Sequence, residues 1–280
     1  GETLYNGIRL PETWPPRIPF NYEPMDPPYL KSPPAVIPID VGRQLFVDDF
    51  LIERTDLKRS YHTARYHPAT PVLRPEAPWE QEGASPTAMP FSGGVFYDPQ
   101  DRLFKMWYMC GYVRSLCYAT STDGIRWRRP QLDSRPAANI ALPCQHDTST
   151  VWLDLEEKDP RRRFKLWLSR FFSSGVLAYW TSADGTSWRD ADARSAPIGD
   201  RTTVFWNPFR RVWVYSIRVS APKLGRYRLY WEHRDAAAGT RFTADQPVPW
   251  VGADRLDTVR DDLKTDCQLY NLDAVAYESL

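Results

Sequence analysis

The feature that most constrains this chain is an internal repeat of about 50–60 residues. CYATSTDGIRW (117–127) resembles AYWTSADGTSW (178–188). In both, a tyrosine (Tyr118, Tyr179) is followed five residues later by an aspartate (Asp123, Asp184). Gly124 and Gly185 come next, and Trp127 and Trp188 close the motif, 61 residues apart. A weaker copy places Tyr230 five residues before Asp235 and lacks the glycine and tryptophan. Each copy has an upstream partner: 93–108, 149–168 and 202–215. There an apolar run ends in Asp98, Asp154 or Asn207, and a polar turn leads to a second strand. One unit therefore reads as four antiparallel strands with Asp/Asn-rich turns, the plan of a propeller blade. Short apolar runs between turn residues, without a sustained 3.6-residue period, predict an all-β chain.

The predicted layout is a Pro-rich extended arm over residues 1–40 followed by a β-propeller domain over 41–280. Ten of the 26 prolines lie in the arm, and proline removes the backbone donors that helices and central strands need. RQLFVDDFLIE (43–53) reads as a strand. Blade repeats are expected at about 81–130, 146–190 and 200–250, with the start of another at 266–280. Propellers close with about four to eight blades. The count therefore implies either a chain cut from a longer protein or further strands from 41–80. An open ring would expose sheet edges and favour self-association.

The net charge of +1 offers no footprint for nucleic acid, and no basic run marks a membrane surface. No apolar run approaches the ~18 residues of a membrane span. The first ten residues lack the apolar core of a signal peptide. Cytoplasmic and secreted or periplasmic locations both stay open. Cys110, Cys117, Cys144 and Cys267 form no CxxC pair, so free thiols and two disulfides are equally compatible with the sequence. Nucleophile-elbow, phosphate-loop, dinucleotide and zinc-protease motifs are absent. The histidines at 62, 67, 146 and 233 lack metal-ligand spacing, so no metal is expected.

Carboxylates remain as candidate chemistry. Aligning the units places Phe91, Asp147, Asp200 and Asn271 at the first position of successive innermost strands. Ser92, Thr148, Arg201 and Leu272 follow, then Gly93, Ser149, Thr202 and Asp273. Asp147 and Asp200 are thus equivalent residues facing one central funnel, with Arg201, His146 and Asp273 alongside as candidate ligand contacts. Two acids across a polar cavity can divide acid and base roles. Glycoside hydrolysis uses such a pair, ~5 Å apart for retention and roughly 6.5–9.5 Å for inversion. The plain alternative is that both merely brace loops. Asp48 and Asp49, within an apolar segment, and Glu80, in PWEQEG, are further candidate acids. Asp98, Asp154, Glu278, Asp123 and Asp184 read as turn caps. Trp127 and Trp188 are expected to pack between blades. Trp107 and Trp167 are candidates for a sugar-stacking surface, with a core role the stronger expectation.

The S-x-D-G-x-x-W turn and the lead-in TPVLRPEAPWE (70–80) resemble those of five-bladed β-propeller glycoside hydrolases. That group includes arabinanases, β-xylosidases, invertases and mannoside phosphorylases. The run from DVGRQLFVDDFLIE through FKMWY to S-x-D-G-I-x-W is similar to a poorly characterised bacterial group of glycosyl hydrolase-like proteins. The resemblance covers roughly residues 41–280. It implies a carbohydrate substrate and three acids on successive inner strands: a base or nucleophile, a pKa modulator and a general acid. Asp147 and Asp200 match by position; Phe91 does not, so Asp49 or Glu80 would supply the third. The resemblance also allows a central calcium ion, which no residue pattern here requires. A non-catalytic carbohydrate- or protein-binding propeller is the alternative.

Overall fold

The computed structural model describes residues 1–26, 31–40, 44, 46, 49–90, 92–132, 138–170 and 175–276. Among the described residues the fold is all-β but for short helical turns, and thirteen strands fall into three antiparallel sheets. The first sheet contains β1 (Ala88–Met89), β2 (Val95–Asp98), β3 (Leu103–Cys110), β4 (Ser115–Ser121) and β5 (Ile140–Leu142). Both β1 and β2 pair with β3, so they are two pieces of one innermost strand. The second sheet is a meander of β6 (His146–Leu153), β7 (Phe164–Arg170), β8 (Val176–Ser182) and β9 (Arg189–Pro197). The third repeats it with β10 (Thr203–Asn207), β11 (Val212–Ala221), β12 (Gly225–His233) and β13 (Val248–Gly252).

These units are blade-like, and the register aligns them. Val95–Met106–Ala119, Val151–Leu166–Trp180 and Val204–Tyr215–Trp231 are corresponding rows. The sheets stack face to face. Trp107, Leu116 and Tyr118 of the first meet Val151, Phe164 and Leu166 of the second. Trp167, Leu177 and Tyr179 of the second meet Val204, Trp213 and Tyr215 of the third. The second strands β3, β7 and β11 are covered on both faces, which is why they are nearly continuous apolar runs rather than alternating ones.

The S-x-D-G turns have one geometry. Asp123 Oδ1 accepts from the amides of Ile125 and Arg126 at 2.8 and 2.7 Å. Asp184 Oδ1 accepts from Thr186 and Ser187, both at 2.7 Å. The third copy differs: Asp235 caps a short helix, α1 (Ala236–Thr240), accepting from the Ala238 amide at 2.7 Å. Glycine is not needed there because the chain enters a helix instead of a left-handed turn. At the strand ends, Asp98, Asp154 and Asn207 each accept an amide two residues on, at 3.0 Å.

Some expectations are revised. The described residues of 43–53 carry no strand, and no described strand pairs with them. Residues 271–276 run beside β10 without forming a strand, although Thr203 Oγ1 donates to the Leu272 carbonyl at 2.8 Å. Phe91, Asp48 and Glu278 lie outside the described residues. The five-bladed ring is not formed by the described residues, which build three sheets. Cys110 and Cys117 form a disulfide between β3 and β4, while Cys144 and Cys267 are not disulfide-bonded.

Both outer faces of the stack are covered by segments outside the repeat. Leu73 and Trp79 of the lead-in pack on Met106 and Tyr108 of the first sheet. On the third, Ala274 and Ala276 lie against Phe205, Val212 and Val214. Trp14 of the Pro-rich arm meets Tyr230 edge-on, and Phe20 stacks on Tyr227 at 5.2 Å. No helix among the described residues is long and apolar enough to cross a membrane.

Candidate functional site

The first strands of neighbouring sheets lie side by side, as the 3.1 Å bond from the Val151 amide to the Gly93 carbonyl shows. At their leading ends is a small cleft, lined by Pro90, Ser92, Met109, Asp147, Thr148, Ser149 and Arg201. Asp147 and Asp200 each stand four residues before the equivalent valines Val151 and Val204. The register therefore gives the same equivalence as the repeat. Three hydroxyls, a carboxylate and a guanidinium share the lining with the apolar surfaces of Pro90 and Met109.

Each aspartate is engaged by its own arginine rather than by the other aspartate. Asp147 is buried; its Oδ1 lies 3.0 Å from Arg201 Nη2, and its carbonyl accepts from Arg201 Nη1 at 2.9 Å. Arg201 is itself buried and holds a left-handed backbone, φ 60°. Its amide donates to Thr148 Oγ1 at 2.7 Å, joining the second sheet to the third. Asp200 is half-buried and ion-pairs with Arg218. Its Oδ2 accepts from the Tyr270 hydroxyl at 2.5 Å.

Beneath lies Arg228, fully buried and held by three carbonyls: Arg201 at 2.6 Å, Ser216 at 3.3 Å and Tyr270 at 2.7 Å. Burial lowers its guanidinium to about 10, against the attraction of Asp273. Sequence reasoning missed Arg218, Arg228 and Tyr270. They stand outside the leading ends of the first strands, the positions that the repeat aligns.

The remaining candidates are distributed as follows. His146 is fully buried, with Nδ1 near the carbonyls of Cys144 and Arg114 at 3.0 and 3.2 Å. Burial, helped by the Arg201 charge, lowers its imidazole below the usual value. It is not among the cleft-lining residues. Asp273 is exposed at the edge of the cluster. Asp49 is a surface residue, its side chain 80% exposed and bonded to Arg59 at 2.6 Å. Glu80 is fully buried and receives five donors: Tyr108 and Arg129 Nε on Oε1, and Arg129 Nη2 and the amides of Glu76 and Ala77 on Oε2. That set pins the lead-in to the first sheet and leaves no lone pair turned to a ligand. Trp107 and Trp167 are fully buried between sheets, so neither offers a stacking surface. No group of three metal-ligating side chains occurs among the described residues.

No family model and no curated protein matches the chain. Among solved structures it is similar to an endo-1,4-β-xylanase from Bacteroides thetaiotaomicron. That match has 13% identity, covers 51% of this chain and 50% of that one, and gives a TM-score of 0.37. An α-L-arabinofuranosidase from Podospora anserina matches at 14% identity over 57% and 54% of the two chains, with a TM-score of 0.37. One from Coprinopsis cinerea matches at 14% over 57% and 55%, with a TM-score of 0.36. The chain spans about half the length of these structures, and an overlap of this extent specifies no chemistry.

Proposed function

We propose that the protein is carbohydrate-active and takes its sugar in the cleft between Ser92, Asp147, Ser149 and Arg201. The observation that carries this reading is the convergence of equivalent first-strand ends on one amphipathic cleft. Hydroxyls, a carboxylate and a guanidinium can exchange hydrogen bonds with sugar hydroxyls, while Pro90 and Met109 supply the apolar patches that sugar rings also need. The enclosed space is small, about 10 Å³, so in this reading the cleft receives a sugar's hydroxyls at its mouth and not a whole ring.

In the hydrolytic form of this proposal, Asp147 serves as base or pKa modulator, Asp200 as general acid, and Arg201 binds substrate. Their equivalence on neighbouring sheets favours it. A non-catalytic sugar-binding domain is the second reading, favoured by the separate arginine held by each aspartate. The test is a screen of oligosaccharides and aryl glycosides for reducing-sugar release and for binding by calorimetry, with Asp147→Asn and Asp200→Asn in parallel. Hydrolysis that falls about 10²–10⁴-fold in either variant, the range for loss of a general acid or base, supports the enzyme. Binding without turnover, weakened by Asp147→Asn, supports the second reading. Neither binding nor turnover on any sugar overturns both.

A further inference from the structure

We propose that Arg228 is the positioning residue of this site, a single buried guanidinium that sets the partners of both candidate acids. Its consequence for function rests on the cleft being the ligand site; the positioning itself does not.

Arg228 is fully buried, and a buried cation is unfavourable unless its hydrogen bonds are met. No carboxylate among the described residues accepts a hydrogen bond from it. Three main-chain carbonyls do so at its two terminal nitrogens, and each belongs to a different segment. Ser216 belongs to β11, within the same sheet, and anchors the group. The other two are Arg201 and Tyr270.

Arg201 is the partner of Asp147. Its left-handed backbone disfavours a residue with a Cβ, so something must hold it. Arg228 holds its carbonyl and Thr148 Oγ1 holds its amide. With both ends of the residue fixed, its guanidinium is directed onto Asp147. Tyr270 is a partner of Asp200. Arg228 grips its carbonyl while its hydroxyl reaches the Asp200 carboxylate. The ring is further held under Arg226, 4.4 Å from its centroid. One side chain thus ties two acids on neighbouring sheets to one anchor, although it approaches neither.

The experiment is carboxyl footprinting of the full chain: carbodiimide with an amine nucleophile, read residue by residue by mass spectrometry, with no sugar present. Wild type is compared with Arg228→Lys, which keeps charge and stem but loses the planar fork, and with Arg228→Met. Asp98, fully buried in a separate ion-pair cluster, reports any general loosening. Expected is a several-fold faster labelling of both Asp147 and Asp200, with Asp98 unchanged. Tyr270→Phe should accelerate Asp200 alone. Unchanged labelling of Asp147 and Asp200 in the Lys variant overturns the proposal, as does a rise at only one of them. A rise that includes Asp98 also overturns it, because Arg228 is then a general packing residue. Failure of the sugar screen leaves these outcomes untouched, so the two proposals fail separately.

Discussion

Asp98 and Glu80 are both fully buried carboxylates, and both are met by cations from distant parts of the chain. Burial alone would raise the Asp98 carboxyl. Hydrogen bonds from Arg163 and Lys105, with the Lys105 charge, outweigh it and hold the group well below the usual 3.8. Because the folded value is depressed, its stabilising contribution is complete above the unfolded value and is lost as pH falls through the folded one. Urea midpoints should therefore decline below about pH 4, the ordinary range of an aspartate, and the decline should be shallower in Asp98→Ala. That variant should also lose about 3–5 kcal/mol at neutral pH, the cost of stripping one partner from a buried ion pair. Glu80 is likewise lowered: burial raises it, but Arg129, Tyr108 and two amides prevail. Glu80→Gln should lower stability by about 1–3 kcal/mol. A catalytic Glu80 would instead lose turnover with its melting temperature intact. Sequence placed Glu80 among the candidate acids because its partners were invisible: Tyr108 lies 28 residues away and Arg129 lies 49. The turn role of Asp98 was legible because the amide it caps is local; its salt bridge to Arg163, across 65 residues, was not.

At the scale of elements, the repeat made the four-strand unit and the S-x-D-G turn readable, since both depend on contacts within a few residues. It could not tell two equivalent turns apart. Gly124 and Gly185 both have a positive φ, 72° and 79°. A Cβ on Gly124 would meet nothing nearer than Phe104 at 3.9 Å, whereas on Gly185 it would come within 2.5 Å of Trp107 Cζ2. The difference arises because the first sheet inserts Trp107 beneath the second sheet's turn, its indole donating to the Gly185 carbonyl at 2.6 Å. Gly124→Ala should cost about 1 kcal/mol, the backbone penalty alone. Gly185→Ala should add about 1–3 kcal/mol of overpacking. Chemical denaturation of the two variants checks the ranking, and equal losses would mean that Trp107 yields freely. The strand expected over 43–53 is not formed by its described residues, 44, 46 and 49–53, for a related reason. An apolar run predicts burial, but a strand also needs a partner, and sequence does not reveal one.

At the scale of the molecule, the stack uses one joining device twice and then drops it. Lys105 of the first sheet lies over the Phe164 ring of the second at 5.0 Å, and Lys165 of the second over Trp213 of the third at 5.7 Å. Trp107 donates to the turn of the second sheet, and Trp167 to Thr240 Oγ1 in the corresponding helix of the third at 2.9 Å. By register, the third sheet carries Val214 and Ser216 where these lysines and tryptophans stand. Its outer face is therefore not furnished to receive a further sheet in the same manner, and the Pro-rich arm lies there instead. Trp14 donates to Glu232 at 3.3 Å, while Arg210 bridges Glu2 and Glu232 and lies 5.4 Å from the Trp14 ring. The arm should then be an integral part of the third sheet's packing. Removing residues 1–20 should lower the melting temperature and uncover Phe209, Tyr227 and Tyr230 in part. An uncovered apolar face favours association, so the midpoint should become dependent on protein concentration, and dye binding to exposed apolar surface should rise. Trp14→Ala should reproduce a fraction of each change, because it removes the ring between Arg210 and Tyr230 while leaving the rest of the arm. An arm deletion that leaves stability and dye binding unchanged would show that the arm only rests on this face, and that the third sheet is stable without it.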